Sequence, residues 1–125
     1  MTHSRSSFQY STPEAAFQAI DQAEHHLALA TRTLGPDLEK AAQTYLKDGP
    51  SLILMADTPE ALAQELAPVS TPETQPLLAD ALGLVGRYCA ATGMDAVRFR
   101  LERITSDSCR RFHVDHVVLR LLCTY

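Results

Sequence analysis

Apolar positions along this chain follow two periods, and the change between them falls near Asp95. Before it they recur every three or four residues, which gathers them on one stripe of a helix; after it they alternate, which gathers them on one face of a strand. Ser11-Thr12-Pro13-Glu14 offers a capping hydroxyl, a proline suited to a first turn and an early acid, so a helix is predicted to begin there. Its apolar stripe runs through Phe17, Ile20, Ala23, Leu27 and Leu34 and stops at Gly35-Pro36, where glycine can take a left-handed cap and proline cannot continue. Residues 1–10 are expected to be flexible or loosely docked. A second helix is predicted over 37–47, a turn at Asp48-Gly49-Pro50, and a short buried strand over 51–56 from the run Leu52-Ile53-Leu54-Met55. Thr58-Pro59-Glu60 and Thr71-Pro72-Glu73 repeat the Thr-Pro-Glu start and open helices near 59–67 and within 73–92, separated by a loop at 67–70.

Beyond Asp95, Val97, Phe99 and Leu101 alternate with Arg98, Arg100 and Glu102, the pattern of a strand with one buried face. After a polar bend at 105–108 the chain from Cys109 to Tyr125 is rich in β-forming residues and is predicted to be extended. In that register His113, Asp115, Val117, Leu119, Leu121 and Cys123 share a face suited to the interior of a sandwich or barrel, and His116, Arg120 and Thr124 share the other. The chain stops at Tyr125 while still reading as a strand, so it is expected to be the front portion of a longer domain. The fold class read from these patterns is α+β, an N-terminal helical region followed by antiparallel strands, with residues 11–125 forming one domain cut at its C-terminal end.

Composition narrows the function classes. A chain of 125 residues can bury one core but not two, and with 46% hydrophobic and 21% charged residues it reads as globular. No apolar run approaches membrane-spanning length, and residues 1–10 lack the apolar centre of a secretory signal, so a cytoplasmic location is expected. Cys89, Cys109 and Cys123 are an odd, widely spaced set with no Cys-x-x-Cys, which points to free thiols. The net charge of −4 is unevenly spread: residues 98–125 carry 6 basic and 3 acidic side chains, and all six bases are arginines, suited to planar recognition of carboxylate or phosphate. The acidic remainder and the lack of interleaved aromatics argue against nucleic-acid binding.

The segment with specific chemistry is His113-Val114-Asp115. Two residues apart on a strand, an imidazole nitrogen and a carboxylate oxygen can reach one point, which makes a two-ligand clip for a divalent metal. Iron(II) sites built from two histidines and a carboxylate use this pair, and so can zinc sites with mixed nitrogen and oxygen ligands. The same pair also fits a solvated strand end. Cys109 is the first candidate for a third ligand and His116 the second; as a bare thiol, Cys109 more commonly packs in a core. His25 and His26 are adjacent on the predicted first helix and diverge too far to share a metal. Arg120, between Leu119 and Leu121, needs an anion if that strand is buried. A Cys109–His113 nucleophile pair lacks an oxyanion donor nearby, and no phosphate loop, nucleophile elbow or zincin helix is present.

Ser-Cys-Arg-Arg-Phe-His-Val-Asp, followed by Val-Val-Leu-Arg-Leu-Leu-Cys-Thr-Tyr, resembles an uncharacterised bacterial domain family whose members are often encoded beside CobW-type metal-chaperone GTPases. The likeness is clearest over 95–125; in that family the Thr-Tyr end is followed by a Gly-Pro-Gly-Thr turn and further strands. More distantly, Phe-His-x-Asp after a strand is similar to the first metal-ligand pair of iron- and 2-oxoglutarate-dependent oxygenases. That likeness implies a double-stranded β-helix, incomplete here, with His113 and Asp115 as first histidine and carboxylate. The second histidine and the arginine that grips the co-substrate come from later strands in those proteins. The leading expectation is therefore a metal-binding, oxygenase-like domain, iron(II) favoured over zinc, 2-oxoglutarate as co-substrate and Arg120 as an anion holder. The alternatives are a non-enzymatic zinc-homeostasis module using Cys109, His113 and Asp115 with the GTPase as partner, and an interaction domain without metal.

Overall fold

The structure, a computed structural model, describes the backbone of residues 6–10 and 25–29 and, in full, residues 14, 15, 30–104 and 121–125. Its elements are β1 (Ser6–Tyr10), β2 (His25–Ala30), α1 (Pro36–Asp48), β3 (Leu52–Asp57), α2 (Pro59–Leu66), a 3-10 turn (Ala67–Val69), α3 (Gln75–Thr92) and β4 (Val97–Glu102). The mixture of helices with an antiparallel strand pair is the α+β class expected from the sequence.

Helix starts are set by local chemistry. At α2 the Thr58 hydroxyl accepts the Ala61 amide at 3.2 Å, and Pro59 occupies the first turn, where a missing N–H costs nothing. Ahead of α3, the Thr71 and Thr74 amides each donate to the other residue's hydroxyl at 3.1 and 3.2 Å, which accounts for the burial of Thr74. α3 ends at Gly93, whose φ of 72° is the left-handed cap, with its amide bonded to the Cys89 carbonyl at 2.8 Å. α1 ends at Gly49 for a different reason. Its φ of −72° suits any residue, but a Cβ there would lie 2.7 Å from the Tyr45 ring. Gly49→Ala is therefore expected to destabilise the protein by about 1–3 kcal/mol through overpacking, read as a drop in denaturation midpoint; an unchanged midpoint would show the ring free to move.

β3 and β4 pair antiparallel, with Ile53 opposite Leu101 and Met55 opposite Phe99. α2 and α3 pack on one face of this ribbon, and α1 packs against α3. The core joins Ala41 and Tyr45 of α1, Ile53, Leu62 and Leu66 of α2, Leu77, Ala81 and Val85 of α3, and Phe99. β4 alternates as predicted, with Phe99 buried and Arg98, Arg100 and Glu102 exposed. β3 is where predicted, but it is not a buried strand: only Ile53 is fully buried, and Leu52 and Leu54 face outward, because the described ribbon is covered on one side alone.

Three expectations near the chain ends are corrected. The first helix does not reach Leu34: Glu14 and Ala15 are helical, but His25–Ala30 is a strand. Residues 6–10 form its parallel partner, Ser7 opposite Leu27 and Tyr10 opposite Ala30, rather than a loosely docked start. His25-His26-Leu27-Ala28-Leu29-Ala30 fits a period of two as well as a helical one, and strand pairing with 6–10 decides between them. Residues 121–125 are not a strand, and Leu121 (39% exposed) and Cys123 lie at the surface, so they do not line the interior of a sandwich or barrel. The rest of that segment, 109–120, lies outside the described residues. Among the described residues no helix is long and apolar enough to cross a membrane.

Candidate functional site

Described polar side chains converge most densely on the flank of α3. Between Glu73 and Arg87 the sequence has one charged residue, Asp80, and the helical turn sets it beside the buried stripe formed by Leu77, Ala81 and Leu84. Arg32, in the extended segment after β2, meets it side-on. Nη1 donates to Oδ1 at 2.8 Å and Nη2 to Oδ2 at 3.0 Å, the two-bond fork that a planar guanidinium makes with a carboxylate. The Tyr125 hydroxyl donates to the same Oδ2, and the Arg32 guanidinium lies 5.5 Å from the centre of the Tyr125 ring. Arg32 Nη2 also donates to the Cys123 sulfur at 3.1 Å.

Burial and pairing work against each other at Asp80. Burial pushes its carboxyl up, but hydrogen bonds from Arg32 and Tyr125, with the charges of Arg32 and Arg87, outweigh that and hold it below its ordinary value. Hydrogen bonding to Asp80 raises Arg32 further, and burial followed by the bond to Asp80 raises the Tyr125 phenol. At neutral pH the set is therefore fixed as a cation, an anion and a neutral phenol. None of the three is poised to exchange a proton near pH 7, so the arrangement does not suit acid–base catalysis. It suits tethering: it ties residues 121–125 and the segment after β2 to α3, and Tyr125 packs against the core beneath.

Cys109, His113, Asp115, His116 and Arg120 lie outside the described residues. Among the described residues, no three His, Cys, Asp or Glu side chains gather as a metal site would require. Cys89 and Cys123 are free thiols. Cys89 packs against the core, and burial, followed by the charges of Asp95 and Glu60, pushes its thiol up, making it a poor nucleophile. An open groove of about 190 Å³ runs between α2 and the start of α3, lined by Leu66, Leu78 and Leu82 with Ser70 and Gln75, and no titratable side chain lines it.

Sequence reading missed Arg32, Asp80 and Tyr125. Arg32 and Asp80 are 48 positions apart, and Tyr125 and Asp80 45, so no local spacing signals the contact. The signal available was Asp80 itself, a single charge in a long apolar stretch of helix.

A family model described as a protein of unknown function, DUF1826, matches residues 11–125. No curated protein and no solved structure matches the chain.

Proposed function

We propose that this chain, which belongs to the DUF1826 family of proteins of unknown function, is a divalent-metal-binding module whose ligands include His113 and Asp115. The observation that carries the reading is the donor set: an imidazole and a carboxylate two residues apart, in a stretch of β-forming sequence, is the pair that iron(II) and mixed-ligand zinc sites share. Supporting it, the stretches on either side are both fastened to one core. Phe99 of β4 is buried in it, and Tyr125 packs on it while bonded to Asp80. A segment held at both ends loses less freedom when it closes on a ligand.

In this reading iron(II) is favoured over zinc, 109–120 is a strand of a double-stranded β-helix, and the Arg120 guanidinium holds an anionic co-substrate such as 2-oxoglutarate. Iron(II) so bound would supply open coordination positions for co-substrate and dioxygen. His113 and Asp115 would hold it, His113 as the neutral imidazole and Asp115 as the carboxylate. If zinc is the ion, Cys109 supplies a third donor and the role is homeostatic rather than catalytic. A CobW-type metal-chaperone GTPase is the partner proposed for either case.

Two protein donors leave most of the coordination sphere to water, so binding by these residues alone is expected to be weak. Protein purified without oxygen, stripped with chelator and titrated calorimetrically with iron(II) and zinc should bind at one site. His113→Ala and Asp115→Ala should each weaken that binding about tenfold or more. Wild-type affinity in both variants would place any metal elsewhere. Cys109→Ser separates the two ions, since its loss should weaken zinc far more than iron(II).

A further inference from the structure

β4 has β3 on one side and, among the described residues, no strand on the other. Which backbone groups face that open side follows from one bond. The Arg103 amide donates to the Ser51 carbonyl at 3.0 Å, one step beyond Glu102 opposite Leu52, so Arg103 and Ser51 are a hydrogen-bonded pair of the antiparallel ladder. Such pairs recur at every second residue, so Phe99 and Leu101 turn their amides and carbonyls toward β3. Arg98, Arg100 and Glu102 direct theirs outward. An edge of this kind is a template for another strand.

The order of charges along the edge decides which strand fits. An antiparallel partner meets it in reverse, and a second β4 turned about Arg100 brings its Glu102 opposite Arg98 and its Arg98 opposite Glu102. Opposite charges then face each other on either side of the axis, where they stabilise a strand pair. On the face that carries the core, Phe99 of each copy lies opposite Leu101 of the other, and Leu101 is only half-buried in the single chain. Arg100 meets its own copy at the centre. Each Arg100 is drawn along its strand to Glu102, with Nη2 at 2.9 Å and Nε at 3.2 Å from Oε2, and antiparallel strands send the two guanidiniums in opposite directions. Both bonds fall on Oε2, which leaves Oε1 for Arg98 of the second copy. Neighbouring registers fit less well. Centring on Phe99 sets Arg98 against Arg100 of the other copy, and centring on Leu101 sets Phe99 against Arg103.

We infer that the open edge of β4 is an interface for a second copy of this chain, the two β4 strands pairing antiparallel about Arg100. The two ribbons then join in one sheet ordered β3-β4-β4-β3, with α2 and α3 of both copies on the same side. A single strand edge is a small interface, so the dimer is weak and forms as concentration rises. It needs no metal and is separate from His113 and Asp115.

The test is sedimentation of the full chain over a range of concentrations, in wild type, Arg98→Glu and Glu102→Arg. Both side chains are exposed, so neither substitution disturbs the core. Wild type is expected to pass from monomer to dimer. Each single substitution turns both opposite-charge pairs into like-charge ones and should weaken the dimer about tenfold or more. Two rescues follow from the register. The double variant exchanges the charges and should dimerise again, and an equal mixture of the two single variants should form a heterodimer, because an acidic edge then meets a basic one. A wild type that stays monomeric at every concentration overturns the inference, even where a variant fails to fold. So does a dimer that neither substitution weakens, which would use another surface such as the uncharged outer edge of β3, and so do losses that neither the double variant nor the mixture restores.

Discussion

Leu62→Ala is expected to lower the unfolding free energy by about 2–5 kcal/mol, a large share of what a domain of this size has to lose. Leu62 is 0% exposed and sits where α2 meets the β3–β4 ribbon and α3. The cost has two parts, lost transfer of the side chain from water and the cavity left behind. The second part is not small here, because the neighbours are themselves constrained. Leu66 is one turn along the same helix, Ile53 is fixed by its pairing with Leu101, and Leu77 and Ala81 belong to a helix closed at its C-terminus by the Gly93 cap. Leu54→Ala removes the same atoms from an outward-facing position, 62% exposed, and should change stability by no more than about 0.5 kcal/mol. Urea denaturation of the two variants reads the contrast. Similar losses in both would mean that α2 and α3 do not pack on the ribbon as described.

How far the fold was legible follows from the range of the interactions that decide it. Thr58-Pro59-Glu60 opens a helix because hydroxyl, proline and acid act within one turn, and the structure starts α2 at Pro59 with the Thr58 hydroxyl on the Ala61 amide. The alternation from Val97 to Glu102 is local as well, and β4 follows it. The stretch from His25 to Ala30 was misread because its residues satisfy both periods, and the partner that decides, Ser6–Tyr10, lies well apart in sequence. The outward exposure of Leu52 and Leu54 was hidden for a related reason: an apolar run shows that a strand can be covered on both faces, not that it is.

The candidate site divides the same way. His113 and Asp115, the proposed ligands, come from sequence because a pair of donors two residues apart can be read locally. The Arg32–Asp80–Tyr125 set is invisible to spacing, since three segments must first assemble before the fork and the phenol meet one carboxylate. Sequence therefore proposes donors well and partners poorly.

Asp80→Asn is expected to cost about 2–4 kcal/mol at pH 7 while leaving the side chain's volume unchanged. Asparagine can accept from one arm of the Arg32 fork, but the guanidinium, 22% exposed, then faces an uncharged partner with little water to replace it. The Tyr125 hydroxyl competes for the same single oxygen. The direction with pH follows from the carboxyl being held below its ordinary value of 3.8. Such a group contributes its full stabilisation above the unfolded value and loses it as pH falls through the lower folded value. The gap between wild type and Asp80→Asn should thus be wide and flat from pH 7 to about pH 5 and should close in the acid range below 3.8, where the wild type protonates. Tyr125→Phe removes one bond to the same oxygen and should cost about 1 kcal/mol, and the double variant should cost less than the two losses added, because both act on one carboxylate. Hydrogen exchange adds a spatial reading: in Asp80→Asn the amides of 121–125 should exchange faster while those of β3 and β4 keep their protection. A gap independent of pH, or strictly additive losses, would mean that Asp80 stabilises the chain by some route other than accepting from Arg32 and Tyr125.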